Sequence, residues 1–283
     1  MNIYPTGKQF REWVKIHNRI PILSEKHVSN FDSTHLFKKL FYKSDEAFLF
    51  ESGKGPCDTS RYTFIGVSNK SYIKITNDYS TVNLNTNSKP LTGTVEAGWD
   101  ALNFDSNTPY YKHLPHFWGG WVGYIAYEAG DSFEKLPKRK HNDLGLPDAY
   151  FMQVDRVIVY DHSSSQLKYI IASTPNGDNA TYEQYIEEIG QFWEKFNSIL
   201  SDNLIKKTDT EIYNSTSLNL NNFQSNLSSD DYKDRVNRTK VYISEGDIYQ
   251  ANIAQRFETE FKGDPFNLFQ KLRMINPAPF SGF

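Results

Sequence analysis

Between residues 228 and 261 the hydrophobic period changes from helical to alternating, and this switch constrains the fold more than any other stretch. Tyr232, Val236, Thr239 and Ile243 recur at intervals of four, three and four, so they share one face of a helix. Ser228 or Ser229 is placed to cap that helix, and Asp230, Asp231 and Asp234 complement the positive end of its dipole. Gly246 supplies the left-handed residue that stops it. From Ile248 the period becomes two. A strand is expected over 248–257, with Tyr249, Ala251, Ile253 and Phe257 on one face and Gln250, Asn252 and Arg256 on the other. Inside a sheet such polar side chains must find partners, because a buried unpaired polar group costs roughly 1–3 kcal/mol. Two readings of that face stand: the lining of a polar cavity for an oxygen-rich ligand, or the wet side of an antiparallel sheet.

A chain of 283 residues can hold one large or two ordinary domains with a sizeable core. Aromatic residues make up 15%, so bulky rings are expected to carry much of the burial. The net charge of −3 comes from 31 basic and 34 acidic residues without a basic stripe, which argues against nucleic acid as partner. A single cysteine, Cys57, excludes an intramolecular disulfide and a cysteine-built zinc site. The N-terminus lacks the apolar run of a signal peptide, and the most apolar segment, 117–130, is too short and too glycine-rich to span a bilayer. The chain is expected to be soluble and cytoplasmic.

Along the chain, residues 7–18 carry a helical pattern through Phe10, Trp13, Val14 and Ile16, ahead of Pro21. A second helix follows Ser33, which is placed as its cap, and buries Leu36, Phe37, Leu40 and Phe41. Phe48 to Phe50 read as a strand, Gly53, Gly55 and Pro56 as a loop, and Tyr62, Phe64 and Ile65 as a second strand. A hairpin is expected with Tyr72, Ile73 and Ile75 before an Asn77-Asp78 turn and Val82 and Leu84 after it, then a short helix over 95–102. His113 and His116 have a metal-like spacing, but Pro115 breaks any helix between them and no third ligand is near, so they are not read as a metal site.

Gly119, Gly120 and Gly123 lie in an aromatic strand. No Gly-Lys-Ser/Thr follows, so they are not a phosphate loop; they are expected to let rings or backbone approach closely. A second hairpin puts Val157 and Val159 on one face and Ile158 and Tyr160 on the other, and Asp161 and His162 at its turn are read as turn formers. Thr181 and Gln184 form a capping box for a helix over 182–200 whose stripe is Tyr182, Tyr185, Ile186, Ile189, Phe192, Trp193 and Phe196. Residues 201–227 turn polar, as a linker or exposed insertion does.

Two groups of residues resemble a known family. Gly246-Asp247-Ile248-Tyr249-Gln250, the Asp264-Pro265 helix start and Asn276-Pro277-Ala278-Pro279 are similar to the opening of the chorismate-binding domain of anthranilate synthase and aminodeoxychorismate synthase large subunits. Glu51-Ser52, Arg61 to Gly66 (with Thr63 where Ser is usual), and the Gly119-Gly120 segment with Phe133-Glu134-Lys135-Leu136-Pro137 resemble the same family's N-terminal region. The resemblance implies an α+β fold, an α/β sandwich of two antiparallel sheets with helices outside. It implies an N-terminal-type region over 1–205, a linker over 206–227 and the start of the chorismate-binding domain over 228–283.

It further implies a tryptophan-type ligand pocket at Glu51, Ser52, Phe280 and Ser281. Phe280-Ser281, where anthranilate synthases usually carry Tyr-Met, resembles the aminodeoxychorismate synthases, which use chorismate, magnesium and ammonia from a glutamine amidotransferase partner. The family's Pro-Glu-Arg and Pro-Ile-Lys/Ala-Gly-Thr motifs and its magnesium-binding acids are not found in these 283 residues. The expectation is therefore a large-subunit fragment with the C-terminal part of the fold missing and no catalytic residue assigned. Such a fragment would expose the apolar face of strand 248–257 and associate through it. The alternatives are an anthranilate synthase component I fragment and a non-catalytic module that binds an amino acid or a partner subunit.

Overall fold

The computed structural model describes residues 2–52, 60–84, 89–102, 107–134, 144–174, 181–206 and 223–283, the side chains of 202–206 excepted. The expected loop of Gly53, Gly55 and Pro56, Cys57, Lys135 to Pro137 and most of the polar linker lie outside those residues.

In chain order come β1 (Asn2–Tyr4), α1 (Gly7–Trp13), β2 (Ile20–His27), α2 (Ser33–Leu40), β3 (Ala47–Glu51) and β4 (Tyr62–Val67). They are followed by β5 (Tyr72–Ile75), β6 (Ser80–Asn83), β7 (Leu91–Gly93), α3 (Val95–Asp100) and β8 (Gly120–Ile125). Then come β9 (Ala149–Val154), β10 (Arg156–Asp161), β11 (Gln166–Ser173) and α4 (Tyr182–Lys206). The last are β12 (Gln224–Ser225), α5 (Ser229–Glu245), β13 (Phe257–Glu258), α6 (Pro265–Ile275) and β14 (Ser281–Gly282). The chain divides into two compact units, one of Met1–Lys207 with Phe269–Phe283 and one of Thr208–Leu268. Residues 269–283 thus belong with the first unit.

The first unit is a sandwich of two antiparallel sheets. One runs β1-β2-β11-β10-β4-β3-β14 and the other β7-β6-β5-β9-β8. Their facing sides share one core: Leu23, Phe48, Val157, Val159 and Ile170 from the first sheet meet Val122, Met152 and Val154 from the second. The alternation expected of β10 holds, with Val157 and Val159 turned into this core. The opposite face of the first sheet is covered by helices. There Tyr169 of β11 stacks on Phe192 of α4 at 4.1 Å, and the Trp193 indole donates to Ser24 of β2 at 3.1 Å. Strands buried on both faces read as unbroken apolar runs, which explains Val157 to Tyr160 and Tyr169 to Ala172. On the outer side of the second sheet, Ile73, Ile75 and Ala149 pack with Val95 and Trp99 of α3.

Local signals account for most of the element ends. Thr181 and Gln184 exchange their bonds as a capping box at α4. Helix α1 opens on a capping box of Thr6 and Gln9 but stops at Trp13, short of the expected residue 18. Asn107 holds residues 16 to 18 in a loop instead, donating to the Ile16 carbonyl at 2.8 Å and to Asn18 Oδ1 at 2.9 Å. Gly123 behaves as expected of a glycine in an aromatic strand. It pairs with Phe151, and a Cβ there would fall on the Tyr150 carbonyl oxygen and 2.8 Å from Phe151 Cα.

In the second unit, α5 forms with the predicted ends. Ser228 accepts from the Asp231 amide at 3.1 Å, and Gly246 adopts φ 84° while its amide donates to Ile243. The strand expected over 248–257 is not formed. Only Phe257–Glu258 pairs, with β12 (Ser225 opposite Phe257), and residues 248–256 carry no strand ladder. Alternation marks a strand only where a neighbour supplies the hydrogen bonds. Here the polar residues bond instead to the segment before α5: Gln255 to Ser225 Oγ at 2.7 Å, and the Arg256 amide to Asn226 Oδ1 at 2.9 Å. Neither the polar cavity nor the wet sheet face is built, and Tyr249 is 93% exposed. Among the described residues no helix is long and apolar enough to cross a membrane.

Candidate functional site

The site is built on Glu51, the last residue of β3. Pro277 and Pro279 cannot continue α6, whose final bond runs from the Asn276 amide to Leu272 at 2.8 Å. The turned chain enters β14 antiparallel to β3, with Ser281 opposite Glu51 and Gly282 opposite Phe50. Phe283 and Leu49 then exchange both backbone bonds at 2.9 Å. The Phe283 ring lies against Phe37 of α2 and Phe269 of α6, at centroid distances of 5.8 and 5.5 Å.

This arrangement brings a carboxylate under cover between two donors. The Glu51 side chain is 9% exposed, and its Oε2 accepts from Arg273 Nη1 of α6 at 2.8 Å. Its Oε1 accepts from the hydroxyl of Ser33. Ser33 is not the cap of α2 as expected. Asp32 is, accepting from the His35 amide at 2.9 Å, and this leaves Ser33 in the first turn, facing Glu51. The Ser52 hydroxyl donates to the Tyr62 carbonyl at 2.8 Å. Of the four residues expected to form a pocket, Glu51 and Ser281 are paired across the strands and Ser52 adjoins them, while the Phe280 ring is 79% exposed.

Alongside lies a second set of charges at the end of β10. Arg61 forks onto Asp161 with contacts of 2.8 and 3.2 Å, and the Ser163 amide and hydroxyl also donate to that carboxylate at 3.0 and 2.6 Å. Burial alone would push the Asp161 carboxyl upward, but the Arg61 and Ser163 bonds outweigh it and hold the group well below its usual range. His162 Nε2 lies 2.9 Å from the Thr63 hydroxyl. Burial lowers its pKa, against the upward pull of Glu51 and Asp161. Asp161 is thus a turn former, as read from the sequence, and an ion-pair partner as well.

A pH dependence follows. A carboxylate whose folded pKa is depressed contributes stability above its unfolded pKa, and that stability is lost as pH falls through the folded one. Arg61 is 49% exposed, so solvent screening limits the pair, and Asp161→Asn is expected to cost roughly 1–2 kcal/mol at pH 7. Urea unfolding of both proteins across pH should show the gap closing below about pH 4. A gap unchanged down to pH 2 would assign the loss to shape instead of charge.

Sequence reasoning missed Arg273 and Ser33. Arg273 had a signal: with Phe266 and Phe269 it falls at helical spacing on the apolar face of α6, where a charge must meet a counter-charge. Its partner lies 222 residues away, beyond the reach of any local pattern.

Residues 45–283 match the family of chorismate binding enzymes. The chain belongs to the chorismate binding enzyme family. It is 32% identical over 286 residues to anthranilate synthase component 1 of Acetivibrio thermocellus, covering 98% of this chain and 56% of that protein. With the same component of Aquifex aeolicus it shares 27% over 291 residues, covering 99% and 56%. The crystal structure of anthranilate synthase component I from Streptococcus pneumoniae superposes with a TM-score of 0.56 at 19% identity, over 89% of this chain and 52% of that one, so the sandwich fold is shared. The chain spans about half the length of the curated relatives it matches. Among the described residues no group of three His, Cys, Asp or Glu side chains is placed to hold a metal ion.

Proposed function

We propose that this chain is the N-terminal part of the large subunit of an aminodeoxychorismate synthase. That enzyme converts chorismate, with ammonia from a glutamine amidotransferase partner, into 4-amino-4-deoxychorismate on the way to p-aminobenzoate. The observation that carries the reading is the Pro279-Phe280-Ser281 turn, which resembles that branch and sets Ser281 beside Glu51. Glu51, Ser52, Phe280 and Ser281 are proposed as a pocket for an amino acid of the tryptophan type. Each Glu51 oxygen, although engaged by Ser33 or Arg273, keeps a second lone pair that a ligand ammonium can use.

A second reading, anthranilate synthase component I, is favoured by the names of the relatives from Acetivibrio and Aquifex. Complementation by the gene that encodes these residues separates the two. Rescue of a bacterial strain that cannot make p-aminobenzoate, without rescue of one that cannot make anthranilate, is the expected result. The reverse pattern establishes the second reading, and rescue of neither favours a non-catalytic binding module. The 283-residue polypeptide alone, given chorismate, magnesium and ammonia, is expected to form no product above a no-protein control.

A further inference from the structure

The half-buried arginines of this chain meet carboxylates, with one exception among the described residues. Arg156 forks onto Glu188 at 3.0 Å through both Nε and Nη2, and it touches Asp155 at 2.8 Å. Arg256 reaches Glu258 at 2.6 Å, and Arg273 reaches Glu51 at 2.8 Å. Arg19 is the exception. Its guanidinium lies over the Trp118 ring, 4.6 Å from the centroid, and among the described residues it makes no hydrogen bond or ion pair. The negative charge that acts on it is Asp155, whose Oδ2 is already engaged by Arg156 at 2.8 Å and by Asn69 at 3.3 Å. Burial pushes the Arg19 pKa down and Asp155 offsets this in part, as for a cation taken out of water with incomplete compensation.

The surroundings keep room for that cation. Arg19 stands just before β2. Gly119, with φ 138°, passes beside it: a Cβ there would lie 2.7 Å from Arg19 Nη2 and 2.8 Å from the Ala172 Cβ. At Gly120, with φ 135°, a Cβ would lie 3.8 Å from Nη1. Both glycines are thus held at backbone angles that side chains rarely adopt, alongside the guanidinium fork. Trp118 covers a face of the guanidinium and cannot satisfy its in-plane donors. A planar fork of N–H groups matches a carboxylate through two parallel bonds.

We propose that Arg19, backed by Trp118 and flanked by Gly119 and Gly120, is a binding site for a small carboxylate. The site is independent of the aminodeoxychorismate reading, since it uses none of the residues around Glu51.

The test is titration of the full chain with sodium acetate, at ionic strength held constant with sodium chloride, followed by tryptophan emission. A parallel titration uses sodium phosphate. Trp118 is one of five tryptophans, so Trp118→Phe isolates its share of the signal. A saturable acetate response is expected, with half-saturation on the order of 1–20 mM for one forked contact. It should be absent in Arg19→Gln and in Trp118→Phe, and weakened about fivefold or more in Arg19→Lys, which keeps the charge but loses the fork. A wild-type response that is linear or equal to that of chloride overturns the proposal whatever the variants do. So does a saturable response that survives in Arg19→Gln. Tighter binding of phosphate than of acetate overturns the carboxylate assignment. If Arg19→Gln fails to fold, the wild-type titration and Arg19→Lys still decide.

Discussion

Gly123→Ala is expected to prevent the second sheet from forming. In β8 this residue pairs with Phe151 of β9, and its missing side chain is what lets the strands close. A Cβ would occupy the space of the Tyr150 carbonyl oxygen and stand 2.8 Å from Phe151 Cα. Both obstacles are backbone, which cannot swing aside as the end of a long side chain can. Overpacking in a core costs about 1–3 kcal/mol and occasionally more, and here the pairing of β8 itself is at stake, so a loss of about 3 kcal/mol or more is expected. Val122 would leave the sandwich core with its strand, and the first sheet would lose part of its cover. Far-ultraviolet circular dichroism and urea unfolding check this. An alanine variant with the wild-type midpoint would mean that β8 shifts freely along β9.

Glu51→Ala is the second large effect. Removing a covered carboxylate leaves the Arg273 guanidinium and the Ser33 hydroxyl without their acceptor. Breaking one side of a buried ion pair costs roughly 3–5 kcal/mol, and Arg273 is partly exposed, so about 2–4 kcal/mol is expected here. Glu51→Gln keeps the shape and an acceptor oxygen and should lose about half as much. Because Ser281 pairs with Glu51 and Phe283 with Leu49, amide exchange at Leu49 and Phe283 should quicken in step with the loss of stability. Arg273→Gln should be strongly non-additive with Glu51→Ala. Additive losses would show that the two side chains do not act as a pair.

Local chemistry was legible in the sequence. Ser228 and Gly246 bracket α5, Thr181 and Gln184 open α4, and the alternation of residues 157 to 160 fixes which side of β10 enters the sandwich. These signals are carried by neighbours in the chain, so periodicity and capping rules reach them. Asp32 took the capping role from Ser33 because both residues suit it, and only the contact with Glu51 decides between them. Strand 248–257 failed for a related reason: alternation prepares a strand, but its ladder needs a partner. The juxtaposition of Glu51 with Ser281 was reached through family resemblance, and the Arg273 counter-charge was not reached at all. Contacts across more than two hundred residues leave no local period to read.

Pairing β14 with β3 also sets an order of events during synthesis. Every other strand of that sheet lies before residue 174, whereas β14 begins at Ser281. At roughly 5–20 residues per second, the ribosome needs on the order of 5–20 s to add the intervening stretch. For that interval the outer edge of β3, including the backbone of Phe50, is open to other nascent chains and to chaperones. Codon choice between residues 174 and 280 sets how long the edge stays open, and so how much of the newly made protein closes its own sheet.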